Sequence, residues 1–343
     1  MGRRATIKDV ARAAGVGTAT VDRALNGRVK VRDETLRRIA AAAQEVGYHA
    51  RGLIRQRLDE TLPPLRLGVV LLKEKQEFYR NFRAALEAAV AARTDVRASL
   101  DLRFSQSQSP AEFAELLAAV GEKADAVAAI AVNHHSLDRV VADLGARGVP
   151  VFSLLNDFAQ GIRKNYIGLN NMKVGRQAAW TITKTSPIPG KVAVFVGGNR
   201  WHGHDLREVG FRAFMRESAP GFTVLDTLVN LETRQLTYEA TLDLLHRHRD
   251  LRGIYVAGGG MEGGIAALRE ARAPEEVALV VNELTAESRA GLLDGYLRMV
   301  IHTPLQDLCR DLFDLAIQAR SAPGDGTIGQ HFLTPRIVLP EFA

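Results

Sequence analysis

The 343-residue chain is too long for one small domain, and its 46% hydrophobic and 24% charged residues exclude disorder as its default state. Its net charge of +6 sits at one end: residues 1–62 hold 13 Lys/Arg against 7 Asp/Glu, and the remainder holds 32 of each. A basic module on a neutral body suits phosphate binding, and the single cysteine, Cys309, excludes an intrachain disulfide or a cysteine-built zinc cluster.

In chain order, Thr6 is placed to cap a first short helix whose Ile7, Val10, Ala11 and Ala14 share one face. Gly15 suits a left-handed turn, with Val16 pointing back to a small core. A second helix, Thr18 to Asn26, buries Val21, Ala24 and Leu25 and turns Thr18, Ala19, Asp22 and Arg23 outward before Asn26-Gly27 ends it. A third, from Asp33 to Val46, carries the stripe Leu36, Ile39, Ala40, Ala43 and Val46. Three short helices with a tight turn between the first two predict a helix-turn-helix over residues 1–48. The segment 49–64 reads as a hinge ended by Pro63-Pro64.

From Leu65 onward, apolar runs alternate with helical patterns. Residues 67–72, 126–132, 149–154, 192–196, 253–257, 277–281 and 299–301 read as buried strands. Residues 78–92, 111–121, 136–147, 171–185, 205–217, 234–248, 262–271 and 304–320 read as helices between them. The fold class is α/β, with mostly parallel sheets covered on both faces. Thr303, Pro304 and Gln306 read as cap, first position and capping box of the last helix, where Cys309 falls beside the core stripe.

The string Thr6-Ile7-Lys8-Asp9-Val10-Ala11, Ala14-Gly15-Val16, Thr20-Val21, Arg23-Ala24-Leu25-Asn26-Gly27 and Val46-Gly47-Tyr48 resembles the LacI/GalR family of transcriptional regulators. The resemblance implies that the second helix enters the major groove of double-stranded operator DNA. Thr18, Ala19 and Arg23 match the base-reading positions, with Arg23 able to fork onto guanine. Residues around Thr6 and Thr20, with Asn26 and Tyr48, would hold phosphates. Gly17 and Asp22 stand where the family usually has serines; a carboxylate there repels phosphate unless it pairs with Arg23 or reads a cytosine amine. The family's hinge wedges a leucine into the minor groove; in Ala50-Arg51-Gly52-Leu53-Ile54-Arg55-Gln56-Arg57-Leu58 the wedge is Leu53, Leu58 or absent, and Arg51, Arg55 and Arg57 supply charge.

Residues 65–343 resemble the sensor half of the same family, a two-lobed, Rossmann-like type I periplasmic-binding-protein fold. The landmarks are Tyr166-Ile167-Gly168-Leu169-Asn170-Asn171 with Gly175-Arg176, Arg207-x-x-Gly210-Phe211, and Val280-Val281-Asn282-Glu283-Leu284. The implied lobes are 65–165 with 297–322 and 166–296 with 323–343, closing on a small-molecule effector, a sugar or polyol. Arg207 and Glu283 are the leading ligand contacts, unless they pair with each other to hold one lobe together. Phe78, Tyr79, Asn156, Asp157 and the loop holding Gly258, Gly259 and Met261 complete the candidate site.

Gly258-Gly259-Gly260-Met261-Glu262-Gly263 also matches Gly-x-Gly-x-x-Gly, with Glu283 twenty residues beyond Gly263. An NAD(H)-sensing repressor or nicotinamide-dependent enzyme is therefore the alternative. The expectation remains a regulator with no catalytic residues, no cofactor and no metal; His202 and His204 lack further ligands at suitable spacing. A cytoplasmic homodimer on a pseudo-palindromic operator is expected. The chain shows no signal peptide, membrane span or leucine-heptad tail.

Overall fold

The computed structural model describes residues 4–26, 31–321 and 328–343; Gly27, expected to end the second helix, lies outside them. The chain divides into two compact units, Met1–Leu65 with Val90–Ser99, and Arg66–Ala89 with Leu100–Ala343.

The first unit contains α1 (Ile7–Ala14), α2 (Thr18–Asn26), α3 (Asp33–Glu45) and α4 (Arg51–Thr61). Val10, Ala11, Ala14, Val21, Ala24, Leu36 and Ile39 form its core, and Tyr48 and Ile54 join them. Gly15 ends α1 in the left-handed region at φ 61°, which lets the chain turn sharply into α2. Arg38 of α3 donates to the Ala14 carbonyl at 2.6 Å, satisfying one of the acceptors α1 leaves open. Gly17 is different: a Cβ there meets nothing within 4 Å, so packing does not demand the glycine.

Most of the second unit follows as β1 (Pro64–Leu72), α5 (Glu77–Ala92), β2 (Arg97–Ser105), α6 (Pro110–Gly121), β3 (Ala126–Ala129), α7 (His135–Ala146), β4 (Val151–Leu154) and β5 (Asn165–Leu169). The chain continues through α8 (Asn171–Thr185), β6 (Lys191–Val196), α9 (His202–Ser218), β7 (Thr223–Val224), β8 (Leu228–Val229), α10 (Arg234–Arg247), β9 (Leu251–Val256) and α11 (Met261–Ala271). It ends with β10 (Ala278–Asn282), α12 (Ala286–Leu293), β11 (Leu297–His302), α13 (Leu305–Ser321), β12 (Gly329–Leu333) and β13 (Arg336–Val338). One sheet has the order β12-β5-β4-β3-β1-β2, the other β13-β11-β10-β9-β6-β7 with β8 beside β6. Neighbours such as β1 and β3, β4 and β5, or β9 and β10 run parallel, and β13 runs antiparallel to β11.

Sheet membership corrects the expected lobe limits. Residues 165–169 belong to the first sheet and 297–302 to the second, and β12 returns to the first before β13 rejoins the second. The chain changes lobe after a strand is complete, where its backbone pairing has ended, rather than before it. Strands β2, β5, β7, β8, β12 and β13 and helix α12 lie outside the elements expected from the sequence. In Arg97-Ala98-Ser99-Leu100-Asp101-Leu102-Arg103 the alternation of exposed and half-buried positions marks an edge strand, without the continuous apolar run of a central one. Cys309 is buried in α13, and burial pushes its thiol up to about 12.

Candidate functional site

In the first unit, α2 buries Val21 and Ala24 and exposes Thr18, Ala19, Asp22, Arg23 and Asn26; Thr20 is half-buried. Arg23 lies along its own helix, Nε donating to the Ala19 carbonyl at 3.2 Å and Nη2 to Thr20 Oγ1 at 3.3 Å. Asp22 accepts from Asn26 at 2.9 Å instead of pairing with Arg23. Its charge therefore stays on the exposed face. At the start of α1, Thr6 donates its amide and hydroxyl to the Asp9 carboxylate at 2.9 and 2.7 Å.

Tyr48, expected among the phosphate contacts, is corrected by its burial. Only 4% of it is exposed, because the turn after α3 folds it against the helical core. Beyond it, α4 separates the two candidate wedges. Ile54 is buried and Leu58 packs against the same core, while Leu53 is 55% exposed. Arg51, Arg55 and Arg57 are also exposed, Arg57 pairing with Glu60 at 2.9 Å.

The second unit encloses a cavity of about 330 Å³ where the carboxyl ends of both sheets face one another. Phe78, Tyr79, Asn156, Arg207, Gly258, Gly259, Met261 and Glu283 all line it. Asp157 does not. Ser153 donates to it at 2.8 Å and Arg163 clamps it through Nε at 2.6 Å and Nη2 at 2.9 Å, both partners of the ion pair being buried. Burial raises the Asp157 carboxyl, but the Arg163 and Ser153 hydrogen bonds outweigh it and hold the group below its ordinary range. Arg163 also reaches the Gly329 carbonyl at 2.8 Å, so Asp157 organises the loop beside β12 instead of touching a ligand.

Arg207 is 7% exposed and is set by the crossing of α8 and α9. There the helices approach so closely that a Cβ on Gly175 would lie 1.8 Å from the Arg207 carbonyl oxygen, and one on Gly210 2.1 Å from that of Met172. The guanidinium donates from Nε to Asn171 Oδ1 at 2.7 Å and from Nη1 to the Ala257 carbonyl at 2.6 Å. Among the described residues Nη2 has no hydrogen-bond partner. The alternative of an Arg207–Glu283 pair is not realised: Glu283 accepts from the Thr303 amide at 3.0 Å and hydroxyl at 2.5 Å, with His302 Nδ1 3.1 Å away. Thr303, expected as a helix cap, thus spends its hydroxyl proton on Glu283.

Glycines 258–263 answer to local packing. A Cβ on Gly263 would lie 2.0 Å from the Arg234 carbonyl oxygen and one on Gly260 2.4 Å from Thr237 Oγ1, so both glycines let α11 close on α10. Gly260 also takes φ 90° ahead of α11. That accounts for the fingerprint spacing without a dinucleotide.

Glu77 and Glu232, which line the cavity, escaped the sequence reading because their partners are remote in the chain. Lys73, just after β1, pairs with Glu232 at 3.2 Å, and Gln108 accepts from Trp201 Nε1 at 3.1 Å. Glu77 accepts from the Ala286 amide at 3.1 Å, and Asn156 from the Gly203 amide at 2.8 Å. Each contact joins the two lobes across the cleft. Asn156 is a bridge of this kind, its other end donating to the Ala131 carbonyl at 2.6 Å. Burial raises Glu232, but Lys73 and His204 overcome it and keep the carboxyl below its usual range.

His202 to His204, ahead of the helix expected over 205–217, form the first turn of α9, with Trp201 at its cap position. His204 Nδ1 accepts from the Gly197 amide at 3.1 Å, and Nε2 lies 3.8 Å from Glu232. Burial drives its pKa down to about 4, with Arg207 and Lys73 adding to the effect against Glu232. An unfolded imidazole protonates near pH 6.5. Between about 6.5 and 4 the unfolded chain therefore binds the extra proton, so stability falls as the pH falls, by about 3 kcal/mol over the window. Urea midpoints across this range should show that decline, and His204→Gln should flatten its share; an unchanged slope in the variant rejects the assignment.

Residues 6–50 match the model of bacterial regulatory proteins of the lacI family, and residues 67–322, most of the chain, match the periplasmic binding protein domain. The chain is a LacI/GalR-family transcriptional regulator. Over 296 residues the regulator is 28% identical to the HTH-type transcriptional regulator CelR of Thermobifida fusca, covering 81% of this chain and 82% of that protein. A solute-binding protein of Actinobacillus succinogenes with bound D-allose shares the larger domain's fold at TM-score 0.73 and 16% identity, over 81% of this chain and 98% of its own. One from Agrobacterium vitis with bound α-D-tagatopyranose does so at 0.71 and 20%, over 81% and 95%. Among the regulator's described residues no cluster of His, Cys, Asp and Glu is suited to a metal ion, and no helix is long and apolar enough to cross a membrane.

Proposed function

We propose that the regulator is a cytoplasmic repressor that binds a pseudo-palindromic operator as a homodimer and is switched by a sugar or polyol in its cleft. The observation that carries this reading is the cavity lined by a buried arginine with one nitrogen unspent and by the aromatic residues Phe78 and Trp201. Aromatic faces and charge-assisted donors together recognise a polyhydroxylated ring. On the DNA side, α2 supplies Thr18, Ala19, Asp22 and Arg23 to the major groove and Thr20 and Asn26 to phosphates, which Thr6 at the start of α1 also meets. Leu53, exposed on α4 between Arg51 and Arg55, is the minor-groove wedge. Residues 1–48, 49–64 and 65–343 then serve as reader, hinge and sensor.

A ligand that favours the closed cleft shifts the population between two lobe arrangements, by as much as its affinities for the two differ. Closure by Lys73–Glu232 and Gln108–Trp201 gives that arrangement contacts of its own. Calorimetry against pentoses, hexoses and polyols, followed by operator binding with each hit, tests the proposal. A sugar that binds and changes operator affinity supports it, and one that binds without changing it refutes the switch. Arg207→Met should weaken sugar binding by about 30-fold or more, the scale of a lost charged hydrogen bond, while operator affinity stays within twofold.

A further inference from the structure

Asn282 closes β10 and lines the cavity, and it is 3% exposed. Its Nδ2 donates to the Val256 carbonyl at 3.0 Å and to the Tyr255 hydroxyl at 3.2 Å. A carbonyl only accepts, so the amide is oriented with Nδ2 toward β9 and Oδ1 away from it. That Oδ1 is buried without a hydrogen-bond partner. A buried acceptor left unpaired is costly, and a ligand that supplies a donor recovers the cost.

Arg207 is anchored next door. Its Nη1 takes the Ala257 carbonyl, the peptide unit following the Val256 carbonyl held by Asn282. The two side chains are thus moored to consecutive peptides, whose Cα atoms lie about 3.8 Å apart. Asn282 offers an acceptor with no donor, and Arg207 Nη2 a donor with no acceptor. Buried Tyr79, a third lining residue, has no hydrogen bond to its hydroxyl among the described residues, and burial holds that phenol well above its usual pKa, so it keeps its proton.

We infer that Asn282 is a ligand-reading residue, its Oδ1 accepting from one hydroxyl of a neutral polyol while another oxygen of the same molecule accepts from Arg207 Nη2. The choice of class follows from the pair. A carboxylate satisfies Arg207 but sets lone pairs against Asn282 Oδ1; an ammonium satisfies Asn282 but is repelled by Arg207. Hydroxyls do both. The inference rests on the cleft being the sugar site proposed above.

Calorimetry on the full-length protein with D-allose, D-tagatose, D-glucose, myo-inositol, D-gluconate and D-glucosamine tests it. A neutral member should bind, about 30-fold more weakly to Asn282→Leu, and removing one hydroxyl from it should weaken binding to the unmodified protein but not further to the variant. Asn282→Ser, which keeps a donor for the Val256 carbonyl, repeats the measurement if the leucine variant does not fold. Binding unchanged within threefold in the Asn282 variants but lost in Arg207→Met overturns the role of Asn282 and leaves the cleft as the sugar site. Binding indifferent to both substitutions removes the cleft reading itself. Preference for D-gluconate or D-glucosamine overturns the neutral class, and no binding by any of the six overturns both readings.

Discussion

Arg163→Ala is expected to destabilise the sensor by about 3–5 kcal/mol, the usual consequence of stranding one member of a buried ion pair. Asp157 would keep its Ser153 hydrogen bond but lose both guanidinium contacts, and the Gly329 carbonyl would lose its donor as well. The Asp157 carboxyl, now held down chiefly by Arg163, would rise and take up a proton at higher pH. In the unmodified protein the depressed carboxyl contributes stability that is present above the unfolded value near 3.9 and lost as the pH falls through the folded one. Urea midpoints at pH 7 measure the loss, which should appear as a fall of roughly 10 °C in melting temperature. The double variant Arg163→Met, Asp157→Asn should recover much of it, since no buried charge remains unpaired. A single variant as stable as the parent would mean that the pair is open to water in solution.

Arg23→Ala is expected to lower affinity for the operator by about 10²- to 10³-fold while leaving weak binding to random DNA. One bidentate arginine–guanine contact supplies about 1–3 kcal/mol of discrimination, and a two-fold operator uses it twice. In the free protein the Arg23 fork rests on Ala19 and Thr20 of its own exposed helix, so swinging it to a base edge costs little. Selection of binding sites from random duplexes, followed by anisotropy titrations over a range of salt, gives both quantities. The variant should lose preference at one base position per half-site and retain a salt dependence set by its phosphate contacts. Unchanged selectivity would move base reading to another element. Among the described residues the Asp22 carboxylate meets only neutral Asn26, so the operator is expected to differ from those of relatives that carry serine there.

The DNA-binding unit was legible because its signals are local. Val10, Ala11, Ala14, Val21 and Ala24 recur at helical spacing, and Gly15 sits where a left-handed residue is required, so the sequence reads directly as helix, turn and helix. The alternation of strand and helix in the body was legible for the same reason. Edge strands such as β2 were not, since half-exposed strands lack a continuous apolar run. The family resemblance pointed to Arg207 and Glu283, which line the cavity, but their partners were not foreseen.

By itself, then, the sequence determined the basic reader and the α/β body, both properties of residues within a few turns of one another. Tertiary structure alone decided which polar groups remain free. Asp157 is taken up by Arg163, Glu283 by Thr303, and Glu232 by Lys73, 159 positions away, while Asn282 Oδ1 and Arg207 Nη2 stay unspent among the described residues. The reason is physical: a side chain's capacity to bind a ligand is what remains after its neighbours have taken their hydrogen bonds, and those neighbours are assembled by the packing of two sheets rather than by adjacency in the chain.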